Sequence, residues 1–148
     1  MPTAESHASA TWQGNLTDGK GTVSTGSGAL NAQTNWEFRS RGAPTAPATN
    51  PEELIGAALA SCFSMAFSNN LAQHGTPPHG MDVNATTTFS LGSSGVSISS
   101  IALDVTASVP NIKPDDFQRI ANEAKDGCPV SQALKGNVDI TMQAQLKQ

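Results

Sequence analysis

The stretch from Asn50 to Gly75, Asn-Pro-Glu-Glu-Leu-Ile-Gly-Ala-Ala-Leu-Ala-Ser-Cys-Phe-Ser-Met-Ala-Phe-Ser-Asn-Asn-Leu-Ala-Gln-His-Gly, constrains the fold more than any other: it is a long helical pattern without a polar face, and it carries a cysteine near its middle. Asn50 is a capping residue type. Pro51 suits the first helical position, where no N–H is needed, and Glu52 and Glu53 place negative charge at the positive end of the helix dipole. Gly75 and the Pro77-Pro78 pair end the pattern. Between Leu54 and Phe67 nearly every side chain is apolar or small, so such a helix has to be covered on all sides. The run reads as too short, and too interrupted by Ser and Asn, to span a bilayer. A small domain rarely wraps one helix completely, which makes a second copy of the chain the expected cover.

Strand patterns flank this helix. Ala8, Ala10 and Trp12 alternate with polar residues, Thr17-Asp18-Gly19-Lys20 offers a tight turn, and Thr22 to Thr25 returns as a partner strand. A further strand is expected over Ala29 to Phe38. The segment Arg39 to Thr49, with Pro44 and Pro47, reads as a loop feeding the helix. After Gly80, Val83, Ala85, Thr87, Phe89 and Leu91 alternate, turn through Gly92-Ser93-Ser94-Gly95, and return as Ile101, Leu103, Val105, Ala107 and Val109. Pro114, Asp115 and Asp116 open a second helix whose Phe117, Ile120, Ala121 and Ala124 share one face, and Gly127 ends it. Pro129 starts a short helical turn, and Val138, Ile140, Met142, Ala144 and Leu146 alternate through a last strand. Antiparallel strands grouped between helices, without regular β-α-β alternation, make the class α+β, with antiparallel sheets around a long buried central helix.

The 148 residues suit a single domain spanning 1–148. A net charge of −4, with no Lys/Arg cluster, gives no footprint for nucleic acid or an anionic membrane, and neither partner is expected. The N-terminus lacks the basic and then apolar run of a signal peptide, so the expected compartment is the cytoplasm, where two cysteines are a poor structural staple.

Several motifs fail on inspection. Gly14 with Gly19-Lys20 nearly spells a phosphate-binding loop, but position 21 is Gly rather than Ser or Thr and a strand pattern follows. His7, His74 and His79 lack the spacing of metal ligands, and no metal or cofactor is expected. Cys62 fits either a small core residue or a reactive thiol. Cys128 stands just before a proline at a helix start, where unpaired N–H groups favour a thiolate, so the two cysteines together suggest a redox pair.

Asn50-Pro51-Glu52-Glu53-Leu54 running on to Ala60-Ser61-Cys62-Phe63-Ser64-Met65-Ala66, together with Gly127-Cys128-Pro129-Val130-Ser131-Gln132-Ala133-Leu134, resembles the OsmC/Ohr family of osmotically inducible and organic hydroperoxide resistance proteins. The early Gly21-Thr22-Val23-Ser24-Thr25 and the order of elements fit too. The likeness covers essentially the whole chain and leans towards the OsmC branch. It implies an intertwined homodimer and a cysteine-based peroxidase of the oxidative and osmotic stress responses. Organic hydroperoxides would be its substrates, with hydrogen peroxide reduced less well. By match to the family's motifs, Cys62 is the peroxide-attacking thiol and Cys128 the resolving thiol that closes an intramolecular disulfide. Glu52 matches the family's glutamate, and Arg39 or Arg41 its arginine; Arg39 is preferred because it directly follows the expected strand. The family also implies a dithiol reductant, such as a lipoyl group. Leu59 stands where relatives often have histidine.

The chemistry asks for these residue types. Attack on an O–O bond needs a thiolate, and an ordinary cysteine, with pKa about 8.5, is mostly protonated at neutral pH. A guanidinium favours the charged form and donates to the peroxide oxygens as charge builds on the leaving alkoxide. A carboxylate orients the guanidinium, and a second thiol traps the sulfenic acid before it oxidises further. Glu52 precedes Cys62 by ten residues, about 15 Å along a helix axis, so a glutamate serving that thiolate is expected to come from the other subunit. Two other functions fit the residues alone: a non-enzymatic dimeric carrier of a small apolar ligand, and a cysteine hydrolase, which would need a histidine within reach of Cys62.

Overall fold

The computed structural model describes residues 3–41 and 47–147, with Arg41 described by its backbone alone. The chain divides into two compact units, Met1–Leu54 and Ile55–Gln148.

In the first unit, β1 (Ala8–Gln13), β2 (Lys20–Thr25) and β3 (Asn31–Thr34) form an antiparallel sheet in that order. The connection from β1 to β2 is closed by Asn15 rather than by a two-residue Asp-Gly turn. Its Oδ1 accepts the Asp18 N–H at 2.8 Å and its carbonyl accepts the Gly19 N–H at 2.9 Å. Gly21 is buried beside Trp12, where a Cβ would stand 2.6 Å from the indole and 2.5 Å from Thr34 Oγ1, so the sheet is closed too tightly there for any other residue.

The expected strand over Ala29 to Phe38 is cut short. Asn35 accepts the Phe38 N–H at 2.8 Å through Oδ1 and so caps a helix, α1 (Trp36–Arg41), which has Glu37 in its first turn. A capping asparagine offers the backbone an alternative to the sheet ladder, and it overrides the apolar alternation of Trp36 and Phe38. Arg39 therefore lies on a helix, not after a strand. Of the proline loop expected over Arg39 to Thr49, residues 39–41 belong to α1 and 42–46 lie outside the described residues.

The long helix, α2 (Pro51–Gln73), begins and ends as its sequence dictates. Asn50 Oδ1 accepts the Glu53 N–H at 2.7 Å. At the far end Thr76 N–H donates to Leu71 O at 2.9 Å and Gly75 N–H to Ala72 O at 3.0 Å, with Gly75 at φ 91°: a left-handed glycine closes the last turn. Its 23 residues are enough, by length and composition, to cross a membrane, which corrects the expectation that the run is too short. Leu59, Phe63, Phe67 and Leu71, each four apart, are instead wholly buried in protein.

The second unit packs that stripe on a sheet of β4 (Gly80–Gly92), β5 (Gly95–Ser108) and β6 (Asp139–Lys147), with β5 in the middle. β4 and β5 form the expected hairpin. β6 joins β5 in parallel rather than antiparallel, because α3 (Pro114–Gly127) and α4 (Pro129–Leu134) carry the chain back across the sheet between them. Ile101, Leu103, Val105 and Ala107 of β5 are buried, and Phe117, Ile120, Ala121 and Ala124 of α3 complete the core. The Phe67 ring sits 5.3 Å from that of Phe63 and 5.4 Å, edge-on, from that of Phe117. Gly56 lets α2 lie close on β4, since a Cβ there would stand 2.8 Å from Thr87 Oγ1. The other face of α2, with Ala57, Ala58, Ser61, Met65 and Asn69, is exposed in the single chain.

Candidate functional site

The first unit joins Arg39 to Glu52. The guanidinium Nε donates to Glu52 Oε1 at 3.1 Å and Nη2 lies 3.0 Å from the same oxygen, so one carboxylate oxygen holds the guanidinium by two of its nitrogens. Position in the helix makes this possible: Glu52 is the second residue of α2, and Arg39 lies on α1 thirteen residues earlier in the chain. The carboxylate is buried, at 5% exposure, while Arg39 keeps 36% of its side chain open. Glu53, its neighbour, points elsewhere and accepts from Thr49 Oγ1 at 2.7 Å. Arg39 also borders a cavity of about 520 Å³ whose other walls include Trp12, Leu16, Val23, Trp36 and Leu54, so among the described residues its lining has one charged group, a guanidinium in apolar surroundings. The Arg41 side chain lies outside the described residues.

The second unit joins the two cysteines. Cys62 is half-buried on α2; Cys128 is buried between α3 and α4, and both are free thiols. Three influences act on Cys62. Burial pushes its thiol above the ordinary value, the Val130 backbone N–H pulls it down by favouring the thiolate, and Cys128 pushes it up again through a thiol hydrogen bond and through charge repulsion. Cys128 thus opposes ionisation of Cys62.

Cys128 serves as the N-cap of α4, with Pro129 at its first position. Its S–H donates to Ser131 Oγ at 3.1 Å and its Sγ accepts the Ser131 N–H at 3.5 Å. Ser131 is itself buried. Neither Ser131 nor the Val130 amide stands out in the sequence as a functional group. The one signal was position: Ser131 is third after a capping residue, where a free N–H needs an acceptor.

Phe63 and Phe67 are core residues wholly removed from the surface, and Met65 points outward at 67% exposure. Their four-residue spacing puts both rings on the stripe of Leu59 and Leu71. Leu59 is core as well. His74, the histidine nearest in sequence to Cys62, lies beyond the end of α2, where it meets Thr76 Oγ1 at 3.1 Å and Asp116 at 3.7 Å. Twelve residues, about 18 Å of helical rise, separate it from Cys62. Among the described residues no three His, Cys, Asp or Glu side chains gather as a metal site.

Fold and site together define an α+β protein with two free thiols in one unit and a buried carboxylate–guanidinium pair in the other. Residues 42–143 match the family of OsmC-like proteins. The peroxiredoxin OsmC of Escherichia coli (strain K12) is 46% identical over 136 residues, 92% of each chain. The organic hydroperoxide resistance protein-like 1 of Staphylococcus epidermidis is 32% identical over 100 residues, 67% of this chain and 71% of that protein. Among solved structures, an organic hydroperoxide resistance protein from Elizabethkingia anophelis aligns with a TM-score of 0.74 at 21% identity, covering 99% of this chain and 100% of that one. An OsmC-like protein from Vibrio cholerae aligns at 0.76 and 17%, covering 97% and 100%. At these identities the structural likeness establishes the fold. The chain belongs to the OsmC-like family, on its OsmC branch.

Proposed function

We propose that this protein is a two-cysteine peroxidase that reduces organic hydroperoxides, and hydrogen peroxide less well. The observation that supports the reading is that Cys62 packs against the core cluster that includes Cys128, which raises the pKa of its thiol. The Cys62 thiolate attacks the distal peroxide oxygen, the O–O bond breaks, and the alkoxide leaves as an alcohol after taking a proton; Cys62 is then a sulfenic acid. The Cys128 sulfur attacks it, the S–S bond forms, and the hydroxyl departs with the Cys128 proton as water. A dithiol, with a lipoyl group as the model compound, restores both thiols by exchange. The naming of relatives as peroxiredoxin and organic hydroperoxide resistance proteins supports the same chemistry.

Within its own unit, burial and Cys128 hold the Cys62 thiol above its ordinary pKa, so a further cation has to favour the thiolate. Arg39, oriented by Glu52, is that cation in this reading, and the apolar cavity beside it receives the hydroperoxide's hydrocarbon part. Ten residues of α2 separate Glu52 from Cys62, about 15 Å of rise, so the reading places Arg39 and Glu52 of one chain at Cys62 of another in a homodimer. The exposed Ala57, Ser61 and Met65 face of α2 is the surface such a partner covers. The protein acts in the cytoplasm in this account, as one domain.

Thiol titration after addition of cumene hydroperoxide tests the activity. Two thiols lost per chain within seconds to minutes fit a peroxidase; no loss over many minutes favours the non-enzymatic carrier of a small apolar ligand. Steady-state assays with dihydrolipoamide and with thioredoxin as donors identify the reductant class.

A further inference from the structure

Trp12 lies near the end of β1, opposite Gly21 of β2, and its indole is held from several sides. Nε1–H donates to the Gly14 carbonyl at 3.0 Å. Ring carbons Cε3 and Cζ2, on opposite sides of the six-membered ring, come so close to Gly21 and Gly19 that a Cβ would stand 2.6 Å and 2.8 Å from them. Neither glycine has a positive φ, so glycine serves both positions by the room it leaves, and the indole takes part of that room. A side chain gripped in this way is a fixed wall, which loses little freedom when a ligand arrives. Yet Trp12 is 44% exposed, and it borders the cavity of about 520 Å³ that Arg39 also lines. Cover for the cross-strand glycine accounts for the gripped part of the ring and leaves the exposed part without a role.

We propose that Trp12 is a specificity-determining residue that makes this cavity selective for aromatic hydroperoxides, whose flat ring lies against the indole. The inference deepens the peroxidase reading and rests on it for the substrate. A flat, rigid, apolar wall gains more from a flat ring than from a puckered or branched group of equal size, because aromatic rings attract one another beyond the area they bury. Trp36 adds a second indole to the lining, and these two are the only tryptophans of the chain. Among the described residues the lining carries its one charge at Arg39. An aryl hydroperoxide therefore has one orientation that suits both of its ends, with the ring towards Trp12 and the peroxide oxygens towards the guanidinium. The volume falls within the range of small-molecule sites and holds a single-ring substrate.

The first test uses the reduced full-length protein and no peroxide. It is titrated with cumyl alcohol, the product of cumene hydroperoxide, and with the ring-saturated counterpart of that alcohol, while tryptophan emission is followed. Both indoles border the cavity, so emission reports its filling. Cumyl alcohol should bind about three- to tenfold more tightly. Equal affinities overturn the proposal, and so does emission unmoved by either alcohol, the result expected if residues of a second subunit fill the cavity instead. The second test compares kcat/KM for cumene hydroperoxide with that for its ring-saturated counterpart. The aromatic substrate should be favoured about three- to tenfold, mainly through KM. Trp12→Leu should bring the ratio to about one, and Trp12→Phe, which keeps a flat ring, should retain most of the preference. An unchanged ratio in Trp12→Leu overturns the proposal; should that variant not fold, the titration of the unmutated protein still decides. A protein inert to both hydroperoxides would end the peroxidase reading, while the alcohol titration would still show whether the cavity selects aromatic rings.

Discussion

Arg39 is fastened by two nitrogens to one oxygen of Glu52, and the other oxygen, Oε2, is buried with no hydrogen-bond partner among the described residues. Truncating the arginine therefore strands a buried carboxylate. Arg39→Ala should lower stability by about 1–3 kcal/mol, below the loss for a fully buried pair because the guanidinium is one-third open to water; urea unfolding measures it. In the proposed site the same variant removes the cation that favours the Cys62 thiolate. The Cys62 pKa should rise further, so less thiolate exists at any given pH and the pH at which peroxide reactivity develops should move upward. Thiolate absorbance against pH is the check, and a shift as large in Arg41→Ala would transfer the role to Arg41. The side-chain chemistry was the legible part at this scale: Cys62, Cys128, Glu52 and Arg39 are nameable from residue type and motif. Ser131 and the Val130 amide were not, because their contribution is a direction of a hydroxyl and a backbone N–H, which residue type does not encode.

Helix α2 shows what a run of sequence can and cannot specify at the level of an element. Its ends were readable from Asn50, Pro51 and Gly75, whose capping roles are local. Which face meets the core was not, since apolar residues occupy every direction; the choice falls on Leu59, Phe63, Phe67 and Leu71 because β5 and α3 present complementary surfaces. α1 was hidden for the opposite reason, an alternation that imitates a strand while Asn35 caps a helix. Gly56 offers a test of the α2–β4 contact. Gly56→Ala gains about 1 kcal/mol of helix propensity but drives a methyl to within 2.8 Å of Thr87 Oγ1. Overpacking of this kind costs about 1–3 kcal/mol, so the net change should be destabilising by about 1 kcal/mol. In a Thr87→Ala background the clash is gone, and the same substitution should become neutral or stabilising in thermal melts. Phe67→Ala, which empties the space between Phe63 and Phe117, should cost about 3–5 kcal/mol.

At the scale of the whole molecule, the α+β class and the order of elements followed from periodicity, while the parallel seat of β6 did not, because strand spacing carries no information about direction. The proposed homodimer makes its own prediction. Mixing Cys62→Ser chains with Glu52→Ala chains should yield heterodimers with one doubly defective site and one intact site. Activity should then exceed the sum of the two impaired parents after subunit exchange; heterodimers without such recovery would put Glu52 at the Cys62 of its own chain. The central claim, that Cys62 and Cys128 act as one redox pair, is tested most directly by adding one equivalent of cumene hydroperoxide per chain to the reduced protein and mapping the products by peptide mass spectrometry. The account predicts an intramolecular Cys62–Cys128 disulfide with one alcohol released per bridge. Sulfinic acid on Cys62 with Cys128 still a free thiol, or both thiols unchanged, would contradict it.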